Sequence, residues 1–273
     1  MSISFLTCSE HPEGTVDDRL WADALRSHGE AVRFHSWEEG APEDMTLFRS
    51  VWDYVPKRAQ FLEFLNGLKG RAFNPVEVIR WNLDKRYLLD LVAAGVPTVP
   101  TSVGNEPPPK ASEWVVKPAI SASAYKTFRV DEKGLPGAIE EVRKDGLPLI
   151  QPFLREVVEQ GEWSLLYFRG SGKPKFSHAV LKKPGSGDFR VQQEHGGSTE
   201  RREPDAALEA LSVSVLSYLE RFDWLYLRLD AVVVDGRALV AELELFEPFL
   251  FFEYAPGSED LAAKALLEKI KGA

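Results

Sequence analysis

The chain has 273 residues, 44% hydrophobic and 27% charged, with a net charge of −9, which is an ordinary globular composition long enough for two or three lobes with real cores. The acidic balance argues against nucleic acid as a partner, because phosphate backbones call for a basic surface. A single cysteine, Cys8, excludes internal disulfides and a cysteine-based zinc site and fits a reducing, cytoplasmic setting; no secretory pattern or membrane-length apolar run is visible.

Residues 1–80 read as a small α/β lobe. Ile3–Cys8 predicts a strand, Asp17–His28 an amphipathic helix stopped by Gly29, and Ala31–Trp37 a second strand. That βαβ order favours a parallel sheet. Leu47–Val51 is expected as a third strand, running into Arg49-Ser50-Val51-Trp52-Asp53-Tyr54. Ligands in open α/β sheets bind beyond the carboxyl ends of strands. Arg49 is therefore placed either to grip a carboxylate or to pair with Asp53. Asn82 is expected to cap a helix over Leu83–Ala94, closed by Gly95 and Pro97. Lys85 would fall in its first turn, where a cation opposes the helix dipole. It is either neutralised by Asp84 or faces a bound phosphate.

Trp114–Pro118 predicts a strand ending at Lys117, followed by the small-residue loop Ala119–Lys126 and a strand over Thr127–Val130. Small side chains such as Ser121 and Ser123 let backbone N–H groups approach an anion. A salt-bridged lysine in a plain hairpin is the other reading. No P-loop and no complete G-x-G-x-x-G is present. Leu147–Ile150 is expected as a strand broken at Gln151-Pro152-Phe153-Leu154, where Pro152 interrupts pairing. The freed backbone suits either an adenine edge or a simple interlobe connector. Trp163–Phe168 and Lys175–Lys183 predict a hairpin, after which Lys182, Lys183 and Arg190 form a basic cluster in an acidic chain. The cluster is a solvated patch or an anion site. Pro204–Phe222 predicts an amphipathic helix, and Ser258 starts the last one.

Between those helices, the apolar runs Leu225–Val234 and Ala238–Phe246 flank Asp235-Gly236-Arg237, a hairpin signal. Opposed residues share a face, so loop length decides the register. A two-residue loop sets Asp230 against Ala241 and mixes carboxylates with core residues on both faces. A three-residue loop sets Asp230 opposite Glu242 and Arg228 opposite Glu244. One face then gathers these four with Tyr226, Val232, Val240 and Phe246, while Leu227, Leu229, Ala231, Val233, Ala241, Leu243 and Leu245 share the other. Opposed like charges repel. The face is expected either to hold a hard divalent cation, Mg²⁺ or Mn²⁺, or to be ordinarily solvated.

In this order, the pieces from about Asn82 to Pro256 resemble the ATP-grasp superfamily, in the branch of glutathione synthetase and D-cycloserine synthetase. The resemblance rests on Lys117-Pro118 before the small-residue loop and Phe128-Arg129-Val130, and on Gln151-Pro152-Phe153-Leu154 before Gly161-Glu162. It rests also on Arg190 before Gly196-Gly197, and on Asp230 before Glu242-Leu243-Glu244 and Pro248. Two positions depart from the family pattern: the loop is Ser/Ala-rich where the family has glycines, and Glu244 stands where it has asparagine.

The resemblance implies an α/β, ATP-grasp fold. Its lobes would be a pre-ATP-grasp βαβ lobe over 1–80, a central lobe with the nucleotide loop over 81–148, and a C-terminal lobe with the metal and phosphate site over 149–273. The implied activity is an ADP-forming carboxylate–amine ligase working through an acyl phosphate. Its partners would be a small amino-acid-like or peptide carboxylate and an amine-type nucleophile. A kinase, or a non-catalytic nucleotide- or metal-binding protein, are the competing classes. The implied ATP site is Lys85, Lys117, Ser121, Ser123, Gln151, Pro152, Phe153, Leu154, Glu159 and Glu162. Asp230, Glu242 and Glu244 would hold Mg²⁺ or Mn²⁺, and Arg190, Lys182 and Arg228 would steady the transferred group, with Arg49 and Asp53 as candidates for substrate. No membrane partner is implied, and a monomer and a homodimer are both compatible with the sequence.

Overall fold

The computed structural model describes residues 2–106, 108–122, 124–185, 190–191 and 196–272. Three sheets organise it. The first is the parallel set β1 (Ser2–Thr7), β2 (Ala31–Ser36), β3 (Met45–Phe48) and β4 (Ala72–Phe73), in the order β2-β1-β3-β4. Helix α1 (Val16–Ser27) makes the crossover from β1 to β2, and a capping box between Thr15 and Asp18 starts it. Helix α2 (Arg58–Gly67) follows β3 and packs its Phe61, Phe64 and Leu65 onto Phe48 and Trp37.

The second sheet is antiparallel, with the order β5 (Ser102–Val103), β8 (Pro148–Pro152), β6 (Glu113–Pro118), β7 (Phe128–Asp131). Helix α5 (Leu135–Arg143) covers one face by packing Leu135, Ala138 and Val142 on Trp114, Val116 and Ile150. Alternation along β6 sends Val115 and Lys117 to the other face, into a cavity. Strand β8 is not broken at Pro152. That residue ends the strand opposite Trp114, and β5 on the other side reaches only to Ile150, so no ladder partner waits for the missing N–H.

The third sheet has the order β11 (Ser198–Arg201), β10 (Lys175–Lys183), β9 (Glu162–Phe168), β12 (Tyr226–Val234), β13 (Arg237–Glu244), all antiparallel. It is buried on both faces. Leu165, Tyr167, Leu227, Leu229 and Leu243 pack with α7 (Ala206–Leu219) and α4 (Tyr87–Ala93). Leu166, Phe168, Val180 and Tyr226 pack with Trp21 of α1 and with Ala262 and Leu266 of α8 (Ser258–Lys271). The last helix thus returns to the core of the first sheet. No helix among the described residues is long and apolar enough to cross a membrane.

Two expectations change here. The single helix over Leu83–Ala94 is two pieces, α3 (Val76–Leu83) and α4, parted by Asp84–Arg86. Asn82 caps neither. Its amide donates to the Leu243 carbonyl at 2.8 Å and accepts from the Leu245 N–H at 2.7 Å, standing in for a neighbouring strand along β13. The hairpin turn is also different. Val234 pairs with Arg237 around a two-residue loop, with Asp235 at φ 49° and Gly236 at φ 74°, the left-handed pair that a twisted hairpin favours. Yet Asp230 still faces Glu242 and Arg228 still faces Glu244, because Ala241 is bulged out between Val240 and Glu242. The bulge turns Val240 into the core beside Ala231 and puts Ala241 on the cavity wall, the reverse of the faces expected for both.

Candidate active site

A cavity of about 450 Å³ opens between the second and third sheets. Strands β12 and β13 supply one wall. On it, Arg228 donates to both Asp230 oxygens, from Nε at 3.0 Å and from Nη2 at 2.8 Å, and Nη2 also meets Glu244. Lys182, from the end of β10, sits 2.6 Å from Glu162 and 3.4 Å from Asp230. The Ser164 hydroxyl on β9 donates to Asp230 from the opposite strand. Lys85 donates to the Ser121 carbonyl at 2.5 Å and to Glu242 at 3.0 Å, and Lys117 stands 3.8 Å from the other Glu242 oxygen. Cations and carboxylates therefore alternate around the cavity, with Lys117 reaching Glu242 from the facing sheet. The junction between α3 and α4 serves the same end, since the Lys85 N–H donates to Ala119 at 2.8 Å and fixes the lysine against the small-residue loop.

The electrostatics follow from burial and pairing. Burial pushes the Asp230 carboxyl up, but Arg228 and Lys182 outweigh it and hold it at about 2. Burial likewise acts on Glu242, and Lys85 and Lys117 outweigh it, leaving the group below the usual range. Lys85 ends above its ordinary value because Glu242 overcomes burial, whereas Lys117, farther from that carboxylate, is pushed down by burial. Burial raises Glu244 to about 7 against the pull of Arg228.

The opposite wall carries Gln151, Pro152, Phe153 and Leu154 at the end of β8. Gln151 donates to the Thr101 hydroxyl at 2.9 Å, and the Arg129 guanidinium lies 3.7 Å from the Phe153 ring centre. Of the residues singled out from sequence, Lys85, Lys117, Ser121, Gln151, Pro152, Phe153, Leu154, Glu162, Lys182, Arg190, Arg228, Asp230, Glu242 and Glu244 all line this one cavity. Ser123 and the 186–189 and 192–195 stretches of the loop after Lys182 lie outside the described residues.

Three candidates are elsewhere. Glu159 is exposed at the end of the short helix α6 (Arg155–Glu159), away from the cavity. Arg49 is 2% exposed and committed to Asp18 at 2.9 Å and to the Pro248 carbonyl at 2.8 Å. Asp53 accepts from the Trp37 indole at 2.7 Å and from Lys57, not from Arg49. Neither residue reaches the cavity, because β3 ends at Phe48 and the chain turns Arg49 inward under α1. Trp52, Tyr54, Glu247, Phe249 and Phe251 also line the cavity, and of these Glu247, Phe249 and Phe251 carried no expectation from sequence. Trp52 and Tyr54 lay inside the flagged Arg49–Tyr54 stretch, and Glu247 directly precedes the flagged Pro248.

The donors on the β12–β13 wall are all carboxylate oxygens, the chemistry a hard divalent cation takes. Among the described residues no three Asp, Glu, His or Cys side chains are gathered tightly enough to ligate one ion as they stand. Arg228 bridges Asp230 and Glu244 instead. The set fits a cation in donor type and in facing one cavity, with Arg228 having to release a carboxylate to admit it.

Residues 3–74 match the sequence model of the N-terminal domain of D-cycloserine synthetase DcsG. The chain is 30% identical over 283 residues to the cycloserine biosynthesis protein DcsG of Streptomyces lavendulae, covering 91% of this chain and 92% of that protein. The crystal structure of D-cycloserine synthetase DcsG superposes with a TM-score of 0.86 at 26% identity, over 99% of this chain and 100% of that one. The ATP-grasp ligase PsnB, solved with a precursor variant, Mg and ADP, gives a TM-score of 0.65 at 14% identity, over 98% and 99%, a likeness of fold.

Proposed function

We propose a reaction from one established premise: the chain belongs to the D-cycloserine synthetase family of ATP-grasp carboxylate–amine ligases. In this reading, a carboxylate oxygen of a small amino-acid-like or peptide substrate attacks the γ-phosphorus of ATP. The bond from that phosphorus to the β–γ bridging oxygen breaks, ADP leaves, and an acyl phosphate forms. An amine-type nucleophile then attacks the acyl carbon and loses a proton, and phosphate departs with the electron pair of the C–O bond.

There is little covalent work for the protein, so catalysis is positioning and charge neutralisation. Lys85 and Lys117 are assigned to the ATP phosphates, Gln151–Leu154 to adenine and Glu162 to ribose. Lys182, Arg190 and Arg228 are assigned to the γ-phosphoryl group as it moves. Asp230, Glu242 and Glu244 would hold Mg²⁺, or Mn²⁺ in its place, which when bound offsets phosphate charge. The observation that supports the reading is the alternation of Lys85, Lys117, Lys182 and Arg228 with the carboxylates Glu162, Asp230, Glu242 and Glu244 around a single cavity.

The test is isotopic. Substrate carrying oxygen-18 in its carboxylate should pass one label to the released phosphate. AMP with pyrophosphate, unlabelled phosphate, or a stable phosphorylated product would each exclude the acyl-phosphate route.

A further inference from the structure

The segment Pro248–Phe252 ties the cavity to the lobe of the first sheet. Phe251 has φ 57° and ψ 34°, a left-handed conformation that a bulky side chain keeps only where its surroundings enforce it. Asp17, in the first turn of α1 and fully buried, enforces it here. One carboxylate oxygen accepts the N–H groups of Leu250 and Phe251 at 2.6 and 2.8 Å, and the other accepts that of Phe252 at 3.0 Å. Successive N–H groups converging on one anion make a backbone nest. Its anion is a side chain 233 positions away from Leu250. Arg49 holds one flank through the Pro248 carbonyl at 2.8 Å, and His178 Nε2 holds the Leu250 carbonyl at 2.9 Å. Burial, against the pull of Arg49, pushes the Asp17 carboxyl up to about 6, so the fold keeps this charge at a solvation cost.

The far side of this turn meets Arg228. Its Nη1 donates to the Phe249 carbonyl at 3.1 Å, and its guanidinium lies 5.7 Å from the centre of the Phe251 ring, within reach of the ring's quadrupole. The other partners of Arg228 among the described residues are Asp230 and Glu244, the carboxylates that a divalent cation would claim. A guanidinium that gives up a carboxylate to a cation keeps its place only through contacts for which the cation does not compete. The Phe249 carbonyl and the Phe251 ring are such contacts, and the nest on Asp17 fixes the backbone that presents both.

We propose that Asp17 is a positioning residue for phosphoryl transfer: from the first lobe, through the left-handed turn at Phe251, it holds the Arg228 guanidinium in place for the γ-phosphoryl group. What Arg228 does there rests on the ligase reading above; that Asp17 holds it rests on the contacts alone.

The test is Asp17→Asn in the full chain. The amide keeps the size of the side chain but has one acceptor oxygen and turns an N–H₂ group toward a backbone N–H. Magnetic resonance of the ligand-free protein with ¹⁵N-labelled arginine reads the effect on Arg228, whose Nε–H signal is the one that Arg228→Lys removes. In Asp17→Asn that proton should exchange with water about 10-fold faster or more than in the parent, as expected when a buried group loses its fixed partners. Calorimetry then compares MgADP with MgADP plus beryllium fluoride, a mimic of the bound phosphoryl group. Asp17→Asn should weaken the fluoride complex about 10- to 100-fold, the scale of a contact misplaced by about 1 Å at the reacting centre, and leave MgADP within about twofold. Phe251→Leu keeps an apolar side chain and removes the ring beside Arg228; it should speed the same exchange and weaken the fluoride complex about 3- to 10-fold. An Arg228 signal unmoved in Asp17→Asn, or in Phe251→Leu where Asp17→Asn does not fold, would overturn the proposal and leave the ligase reading standing. So would equal weakening of MgADP and the fluoride complex, the mark of a generally loosened fold. A parent that binds neither would remove the ligase reading, and the role in phosphoryl transfer with it, whatever the guanidinium signal shows.

Discussion

Asp230→Asn discriminates between two accounts of the β12–β13 wall. Opposed carboxylates on neighbouring strands repel, and if that repulsion governed, removing one charge would leave the ligand-free protein as stable or more so. The structure makes the opposite case. Asp230 is 3% exposed, accepts from Arg228 on both oxygens and from Ser164, and has Lys182 at 3.4 Å. Its carboxyl is held at about 2 against an ordinary 3.8, which at about 1.4 kcal/mol per unit corresponds to roughly 2–3 kcal/mol of favourable interaction. Breaking a buried ion pair costs about 3–5 kcal/mol when the other charge is stranded. Here Arg228 keeps Glu244 and Lys182 keeps Glu162, so the lower figure is the better guide. We expect Asp230→Asn to lower the stability of the ligand-free protein by about 2–3 kcal/mol, a fall of about 1 M in the urea midpoint measured in chelator. ATP-dependent turnover should be lost as well. A midpoint equal to or above that of the parent would refute the reasoning, because it would mean the cations do not neutralise this wall.

Lys117→Ala should weaken ATP binding by about one to two orders of magnitude by calorimetry, since hydrogen bonds to charged groups are worth roughly 1.5–3 kcal/mol; unchanged binding would make the lysine structural. Arg190→Ala should lower kcat about 100-fold while changing ATP affinity far less, because its contact strengthens as the phosphoryl group moves. Gly161 has φ 104°, and a Cβ there would lie 2.7 Å from the Lys182 carbonyl, so Gly161→Ala should cost about 1–3 kcal/mol in a urea melt and loosen the Glu162–Lys182 pair. His178 is 1% exposed and burial pushes its imidazole down to about 4 from 6.5, so its stabilising effect is complete above pH 6.5 and is lost as the pH falls through 4. Relative to His178→Gln, the parent should lose up to roughly 3 kcal/mol between pH 7 and 4, and parallel pH–stability curves would contradict this.

Much of the wall was legible because charge inside an apolar alternation is conspicuous. Arg228, Asp230, Glu242 and Glu244 stand out in runs of leucine and valine, and their opposition in the structure is the one that puts charge on the cavity side. The device that achieves it was hidden. A two-residue turn with one bulge and a three-residue turn without one give the same pairing at Asp230, so parity alone cannot separate them. Asn82 was misread because its sequence neighbours fit a cap, while its actual partners, Leu243 and Leu245, lie some 160 positions away. Arg49 was misread for a related reason: an arginine at a strand end resembles a ligand clamp until Asp18 and Pro248 are seen to enclose it. Glu247 reads in the sequence as an ordinary loop glutamate beside Pro248, and its place in the lining is a property of the folded cavity.

The carboxylate of Asp17 and the guanidinium of Arg49 join the first fifth of the chain to Pro248–Phe252, spans of 199 to 235 positions. Contacts so distant in sequence are the slowest to close, and during synthesis they cannot form until the second partner has left the ribosome. Asp17 must therefore wait through the making of more than two hundred residues with its carboxylate served by water, while Arg49 has Asp18 and the Trp21 ring close by in sequence. A nascent chain halted before Pro248 would therefore have the strands of all three sheets translated and neither tie yet made between its first lobe and the cavity wall at Phe249 and Phe251.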